Sequence, residues 1–345
     1  MTKLLIRAAM AAASLACSTT AQSAPPSNAI NAYARPGKLV RLPSGLRINL
    51  RCVGTGGPTI VLTAGAGEQS LTWHTIQAHL AKTYRVCSWD RPGFGFSDSS
   101  SAPMDVVQLT DNLSAALEAG RIKPPYLLVG HSLGSFETLM LAFRHPRDVA
   151  GIVLIDPAGP FQDTRFKKAA PASYAVIDAA QTAQTADLRR CIAIATRPSA
   201  LVDPSCVMTP IPGYPADLNR ALIRIDGEID RKKNFLALLD AMFSGVDSRE
   251  LSAAWRPLGT IPLIVLTAGN PPPIPLTPVV KGDIDAFVAE WSAIHDDMAR
   301  LSTRGVNRRV AGSGHYIYED RPAVVLEAIE EVARAGSGRQ TTLNR

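Results

Sequence analysis

Short, continuous apolar runs recur along this chain, and helix-like segments separate them. The runs at 60–62, 127–129 and 263–266 contain only Ile, Leu and Val, without the alternating polar residues of a strand that has one face in solvent. Continuous runs of this kind are typical of strands covered on both faces, as in parallel sheets. Segments 38–41 and 46–53 alternate instead, which predicts antiparallel strands at a half-exposed edge. The pattern predicts an α/β fold, in which a mostly parallel, eight-stranded sheet has helices on both faces.

The same patterns place the individual elements. Strands are predicted at 38–41, 46–53, 59–63, 84–89, 126–129, 151–155, 262–267 and 307–310. Helices are predicted at 72–81, 104–119, 135–143, 283–302 and 322–335. The alternation breaks after the sixth strand, where helix-like segments have proline-rich joints. We therefore predict a core at 38–156 and 258–335, a cap insertion over the sheet at 157–257, a disordered linker at 24–37 and a flexible tail at 336–345.

The N-terminus has the three-part pattern of a secretory signal peptide. Lys3 and Arg7 form a positive start, residues 8–16 are mostly apolar, and small residues follow. We predict a signal peptide at 1–23 and export to the periplasm or the medium. The alternative is an alanine-rich N-terminal helix of the domain. Cys17 would also permit a lipid anchor, but a serine stands where such sites usually have leucine, so the anchor is the less favoured hypothesis.

Four cysteines remain after the predicted leader: Cys52, Cys87, Cys191 and Cys206. An even number in an exported chain predicts two disulfides. The alternative is four buried free thiols, because a free cysteine packs as a small apolar residue.

The charge distribution and the histidine spacing argue against several classes of protein. The formal net charge is +6, and the longest basic run is the three residues at 231–233, so the sequence predicts no nucleic-acid partner. It has no uninterrupted apolar run of about 18 residues, and we predict no stable membrane span. The histidines lack metal-ligand spacing such as His-x-x-x-His, and we predict neither a metal nor another cofactor.

Residues 130–134, Gly-His-Ser-Leu-Gly, match the G-x-S-x-G pattern of a nucleophile elbow. The pattern directly follows the fifth predicted strand and precedes the third predicted helix. A sharp strand-to-helix turn needs small residues beside the nucleophile, and it exposes the serine oxygen at a helix N-terminus, which favours negative charge. We predict that Ser132 is a nucleophile. The alternative is an ordinary tight turn that contains a serine.

A nucleophilic serine needs a base and a group that orients the base. Among the six histidines, His315 follows the last predicted strand in a Gly-Ser-Gly-His loop, at the same end of the sheet as Ser132. We predict that His315 is the base. His131 adjoins the serine, and its side chain would be held by the elbow. The four other histidines are predicted to be surface or packing residues: His74, His79, His145 and His295.

The acid should lie between the nucleophile and the base in chain order. Asp156 directly follows the sixth predicted strand and is the favoured candidate. Asp283 and Asp285 come later, after a proline-rich stretch, and are the alternatives. Asp156 could instead be a structural carboxylate that caps the following turn.

An oxyanion hole needs two backbone N–H groups near the nucleophile. The first is expected from Leu133, at the start of the helix after the serine. The second is expected from the turn at 64–67, Ala-Gly-Ala-Gly, whose small residues let the backbone approach a substrate closely.

Three segments resemble the α/β-hydrolase superfamily, and the likeness covers about residues 38–335. The segments are 61–67, 89–98, and 130–134 together with 314–315. The family carries His-Gly after its third strand; here Ala64 stands at the histidine, and the resemblance places the second oxyanion N–H at Ala66. The family's acid follows either the sixth or the seventh strand. Asn270 stands at the second position, which supports Asp156.

The resemblance also bears on the cysteines. In the family's strand order the second and fourth strands are antiparallel neighbours, which implies a disulfide between Cys52 and Cys87. We predict that Cys191 and Cys206 form the other disulfide, within the cap.

Members of the family with aspartate as the nucleophile are dehalogenases and epoxide hydrolases, so Ser132 favours ester or amide cleavage. The sequence predicts an exported serine hydrolase that cleaves a carboxylic ester of a small molecule through an acyl-enzyme, with Ser132, His315 and Asp156 as the triad. One alternative is an amide, peptide or carbon–carbon bond hydrolase with the same triad. Another is a non-catalytic protein that binds a ligand on the same fold, which the complete triad disfavours. The sequence predicts no particular substrate or oligomeric state.

Overall fold

The strands form one sheet in the computed structural model, which describes residues 27–196, 203–270, 272 and 277–343. They are β1 Lys38–Arg41, β2 Arg47–Val53, β3 Thr59–Thr63, β4 Val86–Trp89, β5 Tyr126–His131, β6 Val149–Ile155, β7 Leu263–Ala268 and β8 Gly305–Val310. The order is β1-β2-β4-β3-β5-β6-β7-β8. β2 is antiparallel to both of its neighbours, and every other pair is parallel. The predicted mostly parallel, eight-stranded α/β sheet is confirmed.

Helices cover both faces of this sheet. They are α1 Ser27–Asn31, α2 His74–Leu80, α3 Val106–Ala119, α4 Gly134–Arg144, α5 Gln162–Ala169, α6 Pro171–Ala195, α7 Ala216–Asp226, α8 Ile229–Phe243, α9 Val246–Ala254, α10 Pro278–Ala299, α11 Ile317–Asp320 and α12 Pro322–Leu343. Side chains of α2 and α12 pack on one face, and side chains of α3, α4 and α10 pack on the other. None of the helices in the described part of the chain is both long and apolar enough to cross a bilayer.

Adjacent residues of the central strands point into two different apolar clusters. Leu128 of β5 and Leu154 of β6 belong to the cluster on the side of α3 and α4. Leu127 and Val153, their neighbours in the chain, belong to the cluster on the side of α2 and α12. All four side chains are buried. Because both faces are covered, these strands need apolar residues at every position, which explains the continuous runs in the sequence.

β1 and β2 form the antiparallel edge of the sheet that their alternating pattern predicts, but one polar residue of β2 is buried. Asn49 has no exposed surface. Its side-chain amide donates to Asp90 Oδ2 at 2.7 Å, and its Oδ1 accepts from Gly37 N at 2.8 Å. The polar side chain of Asn49 therefore points into a hydrogen-bonded interior rather than into solvent.

The predicted disordered linker at 24–37 differs from the structure in residues 27–34. These residues form α1 and a 3₁₀ turn, and we call them the N-terminal strap. Tyr33 of the strap is buried, and its hydroxyl donates to Gln77 Oε1 of α2 at 2.7 Å. Its ring joins an apolar cluster with Leu218 and Leu222 of α7. The strap is ordered because it packs against both α2 and α7.

The C-terminus also differs from its prediction. α12 continues to Leu343, through most of the predicted flexible tail at 336–345. Gly336 lies so close to β6 that a Cβ there would approach Ala150 O to 2.6 Å. This close packing extends the helix beyond the boundary that composition suggested.

Between β6 and β7 the described residues form α5 to α9, together with a 3₁₀ turn at Pro204–Cys206. A helical stretch was predicted here, although the domain boundaries at 157–257, 38–156 and 258–335 stay predictions. The predicted signal peptide at 1–23, with Cys17, lies outside the described residues.

Both predicted disulfides are present. Cys52 of β2 and Cys87 of β4 occupy directly paired positions in the antiparallel ladder, with Cα atoms 4.0 Å apart. Cys191 of α6 bonds to Cys206 in the 3₁₀ turn, with Cα atoms 5.4 Å apart. One bridge therefore joins two strands of the sheet, and the other joins two parts of the helical stretch.

We expect that replacing Cys191 and Cys206 together by serine lowers the free energy of unfolding. The bridge spans 15 residues, and a loop of that size is worth about 3 kcal/mol in the chain-entropy model. Urea titration followed by circular dichroism measures the loss. Wild-type protein with both disulfides reduced is the control and should lose at least as much. An unchanged urea midpoint in the double variant would contradict this prediction.

Candidate active site

Ser132 lies on a strained turn between β5 and α4. Its φ is +50°, in the left-handed region, which costs a residue with a side chain about 1–2 kcal/mol. The Ser132 N–H donates to Ile155 O at 3.1 Å, which ties the turn to the end of β6. A Cβ on Gly130 would lie 2.6 Å from Gly134 O, and a Cβ on Gly134 would lie 2.5 Å from Thr63 O. Glycine is therefore required on both sides of the serine by close backbone contacts.

Asp156 directly follows β6, and its carboxylate is held by three donors. Its Oδ2 accepts from His315 Nδ1 at 2.6 Å. Its Oδ1 accepts from Ala268 N at 2.9 Å and from Trp291 Nε1 at 2.9 Å. The carboxylate is buried, whereas a third of the His315 side chain is exposed. The structure thus brings Asp156 and His315 together, and their catalytic roles stay predictions.

The protonation states of the pair follow from its surroundings. Burial lowers the pKa of His315, but the hydrogen bond and charge of Asp156 and the charge of Glu68 outweigh burial and raise it. Burial raises the pKa of Asp156, but contacts with His315, His295 and the Ala268 N–H leave it below its usual value. Asp156 is therefore a carboxylate near neutral pH. In the neutral His315 ring, Nδ1 carries the proton and Nε2 is the acceptor.

The alternative acids lie elsewhere. Asp283 accepts from Ala172 N at 2.7 Å, from Ser173 N at 3.1 Å and from the Ser173 hydroxyl, in the first turn of α6. A carboxylate in that place satisfies N–H groups that have no partner within the helix. Asp285 is exposed on α10. Among the three candidates, only Asp156 contacts His315 in the described part of the chain.

His295 lies behind Asp156 and has no exposed surface. Its Nε2 is 2.9 Å from Pro157 O, and its Nδ1 is 2.7 Å from Thr267 Oγ1. Burial lowers its pKa, so the ring is neutral. The ring also packs edge-on to Trp291, with centroids 5.0 Å apart. His295 therefore supports the tryptophan that bonds to Asp156. Of the others, His74 is half-buried, and His79 and His145 are exposed.

A buried arginine holds the turn after β3. Arg91 donates to Ala64 O at 2.7 Å and to Gly65 O at 3.0 Å. Its Nε donates to Glu137 Oε1 in the first turn of α4 at 2.5 Å, and both charged groups are buried. The C=O and N–H of a trans peptide point in opposite directions. The bond to Gly65 O therefore directs the N–H of Ala66 away from Arg91.

The N–H groups of Ala66 and Leu133 bond to no protein acceptor among the described residues. Leu133 follows Ser132 directly, at the start of α4, where the helix dipole favours negative charge. These N–H groups can serve a negatively charged oxygen beside the serine, and that role stays a prediction.

The sequence analysis missed several residues of the site. Trp291, Glu137 and Glu68 each contact residues that lie far away in the chain. For Glu68, the local signal that could have found it is its position: an acidic residue directly after the Ala-Gly-Ala-Gly turn. A carboxylate next to an expected oxyanion turn indicates a candidate site residue, because a buried carboxylate must be neutralised or paired.

Comparison with known proteins decides the family. Residues 60–328 match the model of the Alpha/beta hydrolase family. The chain belongs to this family. Among curated relatives, this alpha/beta hydrolase is 25% identical to the uncharacterized protein YqjL of Bacillus subtilis over 279 residues, which cover 81% of this chain and 85% of YqjL. It is 34% identical over 161 residues to the uncharacterized protein C23C11.06c of Schizosaccharomyces pombe. That match covers 38% of this chain and only 30% of the yeast protein.

Solved structures of similar fold include enzymes. An esterase (EaEST) from Exiguobacterium antarcticum superposes with a TM-score of 0.56 at 15% identity, over 86% of this chain and 99% of the esterase. An alpha/beta hydrolase fold protein from Burkholderia ambifaria superposes with a TM-score of 0.52 at 20% identity, over 85% of this chain and 98% of that protein. At these identities the likeness establishes the fold, and function must be argued from the site.

We expect Glu137→Gln to destabilise the hydrolase strongly. The substitution leaves the Arg91 guanidinium buried without a charged partner, which costs about 3–5 kcal/mol. The control is Asp240→Asn, which breaks the exposed pair of Arg189 and Asp240 and should cost less than about 1 kcal/mol. Urea unfolding of both variants measures the difference. Equal, small losses would show that the buried pair is not needed for stability.

Proposed function

We propose that this alpha/beta hydrolase is an exported serine hydrolase that cleaves carboxylic esters of small molecules through an acyl-enzyme. The observation that carries the proposal is the 2.6 Å hydrogen bond between Asp156 and His315, next to the strained turn of Ser132. The His315 backbone oxygen lies 3.1 Å from the ring of His131, the residue before Ser132. An oriented base near a strained serine is the arrangement that acyl transfer needs.

In the first step, Ser132 Oγ attacks the ester carbonyl carbon while His315 Nε2 removes the hydroxyl proton. Asp156 stays ionised and stabilises the protonated ring through Nδ1. The carbonyl oxygen becomes an oxyanion and accepts hydrogen bonds from the N–H groups of Leu133 and Ala66. Two such donors lower the barrier most when they are held in place beforehand. The bonds of Arg91 to the turn after β3 support that requirement.

The oxyanion then collapses and the bond to the alcohol oxygen breaks. His315 gives its proton to the leaving alcohol, and the acyl group stays on Ser132. A water molecule next loses a proton to His315 and attacks the acyl carbon. His315 returns that proton to Ser132 Oγ as the bond between this oxygen and the acyl carbon breaks. The products are the free carboxylic acid and the regenerated serine. The chemistry uses only this chain's own residues and water.

Aromatic rings near the oxyanion turn support an apolar binding site. Phe235 of α8 lies against Gly67, where a Cβ would be 3.0 Å from its ring. Its centroid is 5.9 Å from that of Phe94, and both rings are buried. α8 thus covers the oxyanion turn from the helical stretch. We therefore propose that residues 157–257 form a cap and that an apolar part of the ester lies beneath it.

The disulfides support export. Disulfides persist in oxidising compartments and are rare in reducing ones. Two bridges, one in the sheet and one in the helical stretch, fit a chain that folds outside the cytosol. The leader at 1–23 is the segment proposed to direct export.

Ser132→Ala should abolish labelling by a fluorophosphonate probe and lower ester turnover by about 10³-fold or more, as for other triad nucleophiles. The serine side chain lies on a turn, so its loss opens no core cavity and the fold should persist. Gel fluorescence after labelling and p-nitrophenyl ester hydrolysis are the measurements. A wild-type protein that is not labelled would favour a ligand-binding role, and a variant with more than a tenth of wild-type activity would exclude Ser132 as the nucleophile.

Asp156→Asn should lower kcat by up to about 10⁴-fold, because an amide no longer enforces the tautomer with the proton on Nδ1 of His315. Asp283→Asn is the matched control. It makes the same chemical change at a carboxylate that caps α6, and its kcat should stay within about twofold of wild type. Steady-state kinetics on both variants test the assignment. The reverse pattern would assign the acid to Asp283.

A further inference from the structure

One buried carboxylate contacts three separate segments around the site. Glu68 lies directly after the oxyanion turn and is 4% exposed. Its Oε2 accepts from Gly65 N at 2.8 Å and from His131 Nδ1 at 2.9 Å. Its Oε1 accepts from the Tyr318 hydroxyl at 2.6 Å. The three donors belong to the turn after β3, to the end of β5 and to α11, so a single side chain joins them.

His131 extends this contact to the base. Its Nε2 lies 3.1 Å from the backbone oxygen of His315, and the two rings pack with centroids 4.7 Å apart. Nδ1 therefore faces a carboxylate oxygen and Nε2 faces a carbonyl oxygen, and both oxygens can only accept hydrogen bonds. A ring with one proton would direct a lone pair at one of them. A ring with two protons donates to both.

A partner of opposite charge for that ionic form lies within hydrogen-bond distance. The His131 side chain is 1% exposed, and a buried cation needs a charged partner nearby. Glu68 is that partner, and the Gly65 N–H and the Tyr318 hydroxyl, which both donate to its oxygens, favour the carboxylate. Burial and the charge of Glu68 hold the pKa of Tyr318 well above its ordinary value, so the hydroxyl stays a donor.

We propose that Glu68 and His131 are a buried positioning pair. His131 donates from both ring nitrogens, to Glu68 and to the His315 carbonyl, and so fixes the segment of the catalytic base relative to the oxyanion turn. The proposal rests on the proposed function, since it assigns catalysis to His315. Neither side chain exchanges a proton with substrate; the pair acts through the residues that do.

The oxyanion turn and His315 must keep a fixed relative position, because both act at the same ester carbonyl group. The oxyanion donor Ala66 and the base His315 lie on segments that are far apart in the chain. Gly65, which precedes Ala66, is held at both backbone groups: its N–H by Glu68 at 2.8 Å and its C=O by Arg91 at 3.0 Å. The buried positive charge of Arg91 is in turn paired with the carboxylate of Glu137. A small displacement between donor and base is enough to slow acyl transfer.

Nitrogen-15 NMR of histidine-labelled protein tests the protonation directly. In the wild type at neutral pH, both ring nitrogens of His131 should show the chemical shift of a protonated nitrogen. In Glu68→Gln, one of them should lose its proton, because the amide can occupy the same space but carries no charge. Glu68→Asp keeps the charge and should keep both protons on His131. The control is Glu118→Gln, an exposed carboxylate in α3, which should leave the spectrum unchanged.

Kinetics provide the second readout. We expect Glu68→Gln to lower kcat by roughly tenfold to a hundredfold, with a smaller change in KM, because substrate contacts remain while the base and the oxyanion donors lose their relative position. Glu68→Asp should recover part of the loss, and Glu118→Gln should match wild type. A fully active Glu68→Gln variant would overturn the proposal.

The NMR result does not depend on activity. An unprotonated ring nitrogen of His131 in the wild type would overturn the proposed role of the pair, even if the Glu68→Gln variant failed to fold. If the wild type is not labelled by a fluorophosphonate, the proposed function fails, while the spectrum still reports whether His131 carries two protons. The two failures are therefore distinguishable.

Discussion

Parallel pairing of β5, β6, β7 and β8 is the constraint on which the site depends. Because the strands run in one direction, the residues that follow them meet at one edge of the sheet. Ser132 follows β5, Asp156 follows β6, and His315 lies in the loop after β8. β7 contributes backbone: Ala268 donates to the Asp156 carboxylate. A shift of one residue in the pairing of β6 would turn Asp156 to the opposite face of the sheet.

The edge of the sheet is built at a cost to stability. Ser132 and Asp156 both have positive φ, a conformation that side chains other than glycine disfavour. Arg91, Glu137 and Glu68 are charged side chains removed from water. Each is held by specific partners, so removal of one partner leaves an uncompensated charge. Such groups add little net stability, and what they supply is a fixed geometry around the serine.

The sequence predicted the sheet well because its signal is local. Strands covered on both faces are continuous apolar runs, and the glycines beside Ser132 are required by contacts within a few residues or with the adjacent strand. Chain order and the strand ends also led to Asp156 as the residue that meets His315. The supporting contacts have no such signal. Trp291 reaches Asp156 across 135 residues and Tyr318 reaches Glu68 across 250 residues, and nothing in their local pattern marks a partner. The buried Asn49 and Tyr33 differ from prediction for the same reason, since their environments come from distant segments.

The N-terminal strap has a consequence for the order in which the protein is completed. Tyr33 is among the first described residues of the chain, yet it packs against Leu218 and Leu222 of α7. A ribosome makes those leucines long after the strap, so the contacts of the strap with α7 cannot form until then, whereas its contact with Gln77 of α2 can form earlier. The beginning of the described chain therefore completes its packing only after α7 has been made, which is later than its place in the sequence suggests.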